Sequence, residues 1–183
     1  QAGTVSGVLA GDVGLVKTGA GSVTLSGANT FNGTTTVSEG TLLLGAANRL
    51  NSASALVVSG GTFDLGTYSN TLASVQLTGG TISNGTLTST STYDLQAGTL
   101  SAVLAGSVGL DKTGAGSVTL SGANTYSGTT TVSAGALALG ADNVIADGSA
   151  LVVSGASAVF ALGSYSDTVG AVSIGVEGGS ITS

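Results

Sequence analysis

Residues Lys17–Thr30 read KTGAGSVTLSGANT, and the same string stands unchanged at Lys112–Thr125. Working outward from that identity, Gln1 to about Thr62 matches Gln96 to Ser157 at a constant offset of 95. Beyond it the second copy drifts by insertions of about two residues, near Ala158–Val159 and again near Gly175–Glu177. The match then resumes, with Phe63 facing Phe160 and Tyr68 facing Tyr165. The 183 residues therefore divide into a long repeat, 1–95, and an incomplete second copy, 96–183.

A finer period lies inside the long one. Gly, then Ser or Thr, then an apolar residue recurs at Gly3-Thr4-Val5, Gly21-Ser22-Val23, Gly40-Thr41-Leu42, Gly61-Thr62-Phe63, Gly80-Thr81-Ile82 and Gly98-Thr99-Leu100, with spacings of 18, 19, 21, 19 and 18. The second copy continues through Gly116-Ser117-Val118 and Gly135-Ala136-Leu137, a degraded marker near Ala156–Val159, and Gly179-Ser180-Ile181. A period near 19 with short alternating segments predicts an all-β parallel β-helix, or β-solenoid, with coils of about 18–21 residues. One coil cannot bury its apolar side chains alone, but stacked coils align them into continuous columns. In Ser22-Val23-Thr24-Leu25, Val23 and Leu25 are expected to point inward. Glycines between segments supply corners, and Asn29 and Asn124 are expected to take the left-handed conformation in the shared SGANT corner. The absence of Pro fits, because interior coils donate backbone hydrogen bonds to a neighbour. About nine coils at roughly 4.8 Å each give a rod roughly 45 Å long, read as one segment spanning 1–183.

Composition removes other classes. There are 32 Gly, and Gly, Ser and Thr together approach half the chain, while charged residues are 7% and Pro, Cys, Met, Trp and His are absent. Without Cys and His there is no thiolate or imidazole metal site, no Cys nucleophile and no His base. Three basic residues and a net charge of −6 oppose nucleic-acid binding. Disorder is disfavoured by 42% hydrophobic residues and a mean hydropathy of +0.51. Collagen is excluded by the lack of a three-residue Gly period. No apolar run approaches the roughly 18 residues of a spanning helix, and seven aromatics are too few for the girdles of a membrane barrel.

The strings LVKTGAGSVTLSGANTFNGTTTVSEGTLLL at Leu15–Leu44 and LDKTGAGSVTLSGANTYSGTTTVSAGALAL at Leu110–Leu139 resemble the autotransporter-associated β-strand repeat. That motif occurs in passenger domains of Gram-negative autotransporters and large surface adhesins. The intervening LVVSGGTFDLG and GGTISNGTL are similar to passenger linking coils. The resemblance implies a right-handed parallel β-helix displayed outside the outer membrane of a Gram-negative bacterium. The family's signal peptide and translocator barrel are absent and no Met opens the chain, so a section of a longer protein is expected. Zero Cys suits a chain that crosses the oxidising periplasm unfolded.

Candidate sites are few. Enzymes on β-helices use clustered carboxylates, often with Lys or Arg. The acids here are Asp12, Glu39, Asp64, Asp94, Asp111, Asp142, Asp147, Asp167 and Glu177, and most lack an acidic counterpart one coil away. Asp142 and Asp147 share one corner excursion, Asp142–Gly148, and are weighed as a weak cation site against a solvated loop. A Ser–Lys pair built on Lys17 or Lys112 is the other catalytic arrangement available. Phe31 and Tyr126 are equivalent but five coils apart, so each ring is expected to pack on a neighbouring coil. Ring-on-ring packing is expected at Phe63 or Phe160. Thr34-Thr35-Thr36, Thr129-Thr130-Thr131 and the alternating Thr86, Thr88, Thr90 and Thr92 raise ice binding, which needs Thr pairs on consecutive coils; the triples return only every fifth. No catalytic, cofactor-binding or metal-binding residue is assigned.

These features lead to a non-enzymatic structural rod, the stalk or spacer of a surface-displayed adhesin or filament. Unpaired end coils predict association with itself or with further repeats of the parent chain, and Ser/Thr/Asn faces allow side-by-side contact. A polysaccharide- or receptor-binding surface, and a β-stacked fibre subunit, are the alternatives.

Overall fold

In the computed structural model, residues 2–183 are described, and every regular element among them is a strand. The alternating apolar residues set the architecture. Side chains at every second strand position turn inward and are buried, as in Thr41–Leu44 and Ala136–Leu139, where Leu42, Leu44, Leu137 and Leu139 face the core. Each strand pairs in parallel with its equivalent one coil on, giving a 17-stranded sheet and a separate three-stranded sheet. The chain thus winds as a β-solenoid of about nine coils.

The large sheet supplies two faces. The first runs from Leu15–Lys17 to Val172–Ile174, and the second from Gly3–Val5 to Ser180–Thr182. The continuous strands Ala55–Asp64 and Ser74–Ser83 carry the chain around the corner between faces, with register shifts between Val58 and Thr62. On the second face one inward column reads Val23, Leu42, Phe63, Ile82, Leu100, Leu120 and Leu139. Apolar burial along such a column stabilises the stack. The third face is regular only at Ser69–Leu72, Thr86–Ser89 and Val103–Ala105.

Two expectations need correction. The marker spacing of 18 that follows Gly3 and Gly98 is not a coil length. Val5 pairs with Leu25, and Leu100 with Leu120, so both coils take 20 residues. A slip of two residues keeps the same faces inward, and so the marker's drift costs no burial. Asn29 and Asn124 do not adopt positive φ; that conformation belongs to Asn48, Asn84 and Asn143, at 52°, 59° and 51°. The insertions sit where the repeats diverge: the step from Ala136 to Val159 lengthens to 23 residues, and that from Val159 to Ser180 is 21.

Not all the glycines serve corners. Gly27 and Gly122 lie where one coil presses on the previous one, and an added Cβ would collide with the backbone oxygens of Gly7 and Ala102. Gly148, by contrast, has open space around the same position. Gly122→Ala should therefore lower stability by about 1–3 kcal/mol through overpacking against backbone, whereas Gly148→Ala should be neutral or stabilising. Urea denaturation of both variants checks this, and equal effects would contradict it.

Candidate functional site

The sequence offers its polar candidates in or beside the core, and their geometry decides what they can do. Lys17 and Lys112 stand in an inward column that otherwise reads Val37, Val58, Leu77, Leu95, Val132, Val153 and Ile174. Both are buried. Lys17 Nζ donates to Gly19 O at 2.7 Å and Glu39 O at 2.9 Å. Lys112 Nζ donates to Gly114 O, and to Ala134 O at 2.9 Å. Each ammonium therefore ties a corner of its own coil to the corner of the next, satisfying carbonyls that the turning chain leaves free. No Ser hydroxyl is among these partners, so the Ser–Lys arrangement has no geometric basis. Burial pushes the Lys112 pKa below its ordinary value, with the charge of Asp94 acting in the opposite direction.

Asp94 lies on the outer side of this corner. Its carboxylate accepts from Gln76 Nε2 at 2.6 Å, Thr113 Oγ1 at 2.7 Å and Gln96 Nε2 at 3.0 Å. Burial alone raises its pKa, but these hydrogen bonds and the charge of Lys112 outweigh it and hold the group below the usual carboxylate value. Asp111 is its in-register neighbour one coil on. This juxtaposition is invisible to the marker count, because the coil from Tyr93 to Leu110 is shortened to 17 residues.

Where the third face loses its strands, asparagine side chains replace the ladder. Asn29 Oδ1 accepts from Leu9 N at 2.9 Å while its Nδ2 donates to Arg49 O at 2.8 Å. Asn124 repeats this between Leu104 N at 2.8 Å and Val144 O at 2.7 Å. Asn70 bonds both Leu50 N and Leu50 O. At the equivalent of Asn70, Asp167 Oδ2 accepts from Val144 N and Ile145 N at 2.7 and 2.9 Å. Each side chain thus bridges successive coils. Sequence reasoning gave Asn29 and Asn124 a conformational role; the signal for the bridging role was the match of LGTYSN with LGSYSD at 65–70 and 162–167.

One member of the cation candidate is already engaged by the chain itself. Asp142 Oδ1 is taken by Ser166 N at 2.8 Å and Ser166 Oγ at 3.1 Å, and Asp147 is solvent-exposed. Among the described residues no three acidic side chains converge on a point that could hold a metal. The threonine triples turn their middle members, Thr35 and Thr130, into the core. A different column, Thr41, Thr62, Thr81, Thr99 and Thr119, does align on five successive coils. The adjacent outward column, however, holds Thr24, Leu43, Asp64 and Ser83, so paired threonines do not form.

Phe31, Tyr126, Phe63 and Phe160 are all buried. The aromatic contact among the described residues is Tyr93–Tyr126, with centroids 6.3 Å apart and planes tilted by 53°. The ring-on-ring expectation at Phe63 and Phe160 is corrected accordingly: their inward neighbours are aliphatic, Leu42 and Ile82 for Phe63, and Leu137 and Ile181 for Phe160. Burial pushes the Tyr93 hydroxyl up to about 12 despite its bonds to Ala105 and Ser89, and raises Tyr126 as well. Tyr126 Oη shares a 2.6 Å hydrogen bond with Thr130 Oγ1. In the first repeat Phe31 has no hydroxyl, and the buried Thr35 Oγ1 is left without a partner. Phe31→Tyr should thus stabilise the chain by about 1 kcal/mol, and Tyr126→Phe should cost at least that much. Urea titration reads both, and a destabilising Phe31→Tyr would contradict the pairing.

Comparison with known proteins gives matches in sequence. The passenger-associated-transport-repeat family matches residues 15–44 and 110–139. The adhesin BmaC autotransporter of Brucella suis biovar 1 (strain 1330) is 35% identical over 151 residues, covering 75% of this chain. This chain spans only 4% of that relative's length. No solved structure shows significant similarity. The two matched segments are passenger-associated-transport repeats, and the chain around them is similar to part of an autotransporter adhesin.

Proposed function

We propose that this chain is a non-enzymatic structural rod, a stalk or spacer section within a surface-displayed, adhesin-like passenger. Residues 2–183 act together as one solenoid segment. The observation that carries this reading is the contrast between inside and outside. Inward columns continue from coil to coil, whereas outward side chains do not combine into a repeating chemical constellation: the column of Thr41, Thr62, Thr81, Thr99 and Thr119 aligns with no matching threonine column beside it. The adhesin relative supports a surface setting in a Gram-negative bacterium. The buried polar side chains Lys17, Lys112, Asn29 and Asn124 spend hydrogen bonds on coil-to-coil backbone contacts.

The rod's partner is a further coil, from the same parent chain or from a second copy. Gly3–Val5 and Leu15–Lys17 pair on one edge only, as do Val172–Ile174 and Ser180–Thr182. At the last coil Val172, Ile174 and Ile181 are about half exposed to slightly less, at 52%, 49% and 39%. Open backbone edges beside exposed apolar columns template further strand pairing. The chain alone should therefore form end-to-end oligomers that grow with concentration. Ile174→Lys combined with Ile181→Lys should leave monomers, because each adds a charge to the edge. Sedimentation velocity measures both, and a wild-type chain that stays monomeric at high concentration would overturn the association.

A further inference from the structure

One surface feature is not absorbed by the rod. Between the second and fourth coils, on the side where the third face is irregular, a cleft of about 460 Å³ is lined by Asn29, Asn48, Leu50, Asn51, Ser52 and Thr71. The backbone fixes its shape. Asn48 is held in the left-handed region at φ 52°, with its N–H on Ser69 O at 2.9 Å. Asn51 is clamped by Nδ2 to Thr30 O at 3.0 Å and by Oδ1 to Ala53 N at 3.1 Å. Asn29 is bound between Leu9 and Arg49. These contacts make a rigid rim instead of a mobile loop.

The remaining polar groups are free to meet a ligand. Among the described residues, the Asn48 amide and the Ser52 and Thr71 hydroxyls take part in no hydrogen bond within the chain, and Asn48 and Ser52 are exposed. The lining carries no charged side chain. Arg49, the cation next in sequence, is spent on backbone, with Nη1 on Ser26 O at 2.9 Å and Nε on Ala47 O at 3.0 Å. Leu50 is buried and offers little apolar floor. An anion would find no counter-charge here, a metal ion no carboxylate, and an apolar molecule a lining that is more polar than apolar. Amides and hydroxyls that both donate and accept suit a neutral polyhydroxylated ligand.

We propose that this cleft binds a neutral saccharide, held by the Asn48 amide and the Ser52 and Thr71 hydroxyls. The second repeat supplies an internal control. The offset of 95 places Asn143 where Asn48 stands, but Ala146 and Asp147 replace Asn51 and Ser52. Two of the five polar lining residues therefore change there, and one of the changes brings in a negative charge, so the neutral rim belongs to the first repeat. The inference goes beyond the rod reading and survives if the chain does not self-associate.

The test is a ¹⁵N NMR titration of the whole chain with three neutral probes: cellotriose, maltotriose and N-acetylchitotriose. At least one should give saturable shifts of the Asn48 and Asn51 side-chain amides, with Asn143 unmoved. Asn48→Gly, which tolerates the positive φ, combined with Thr71→Ala should weaken that binding about tenfold or more through two lost hydrogen bonds. The melting temperature of this variant is compared alongside, and Ser52→Ala, exposed and outside any strand, provides a second variant should the first unfold. Absence of saturable shifts with all three probes, shifts centred on Asn143, or binding unchanged in the folded variants would overturn the proposal.

Discussion

Every interior coil must offer its backbone donors and acceptors to the coil above and the coil below, in register. The rest of the structure depends on that constraint. A buried N–H or C=O without a partner costs more than most side-chain contacts return, so sequence variation is tolerated only where the ladder survives it. The chain contains no Pro. Where a coil presses flat on its neighbour, as at Gly27 and Gly122, no Cβ fits. Where strand geometry gives way at the SGANT corner, Asn29 and Asn124 carry the ladder across with their side-chain amides. Lys17 and Lys112 perform a similar service at another corner, which explains a cation standing in a column of Val and Leu.

Much of the fold was legible because the repeat recorded it. The offset of 95, the alternation in segments such as Ser22–Leu25 and the positions of the two later insertions all correspond to observed coils. What was hidden falls into two kinds. Register slips of two residues, as at Val5 and Leu25, leave the inward pattern unchanged and so leave no mark in hydrophobic periodicity. Contacts between coils of unequal length are hidden as well. Asp94 lies beside Asp111 because the intervening coil is short, and Tyr93 meets Tyr126 from a position that has no counterpart in the marker spacing. Asparagine has two reasons to occupy a corner, left-handed backbone or a bridging amide. Composition alone does not separate Asn48 and Asn143 from Asn29 and Asn124.

The candidate sites were legible in the same partial way. Their residue types were plain in the sequence, but their roles depended on which way each side chain faced. Middle threonines of both triples turn inward, and the two lysines are consumed by carbonyls. The cleft beside Asn48 escaped notice because its members are drawn from three coils and resemble ordinary loop composition. A solenoid built this way keeps its inside regular and leaves its outside free to vary. That is a physical basis for placing different surface features on one scaffold.

Amide hydrogen exchange at Leu9 and Leu104 tests the central claim most directly, because these N–H groups are held by asparagine side chains and not by a strand. If the coils form one continuous hydrogen-bonded stack, Leu104 N–H should exchange as slowly as strand amides on either side, by orders of magnitude below the open-chain rate. Leu9, on the first coil, should be less protected but still slowed. Exchange of Leu104 at the open-chain rate, with strands on the other two faces protected, would contradict it: the third side would then be a loose edge and the solenoid no rigid rod.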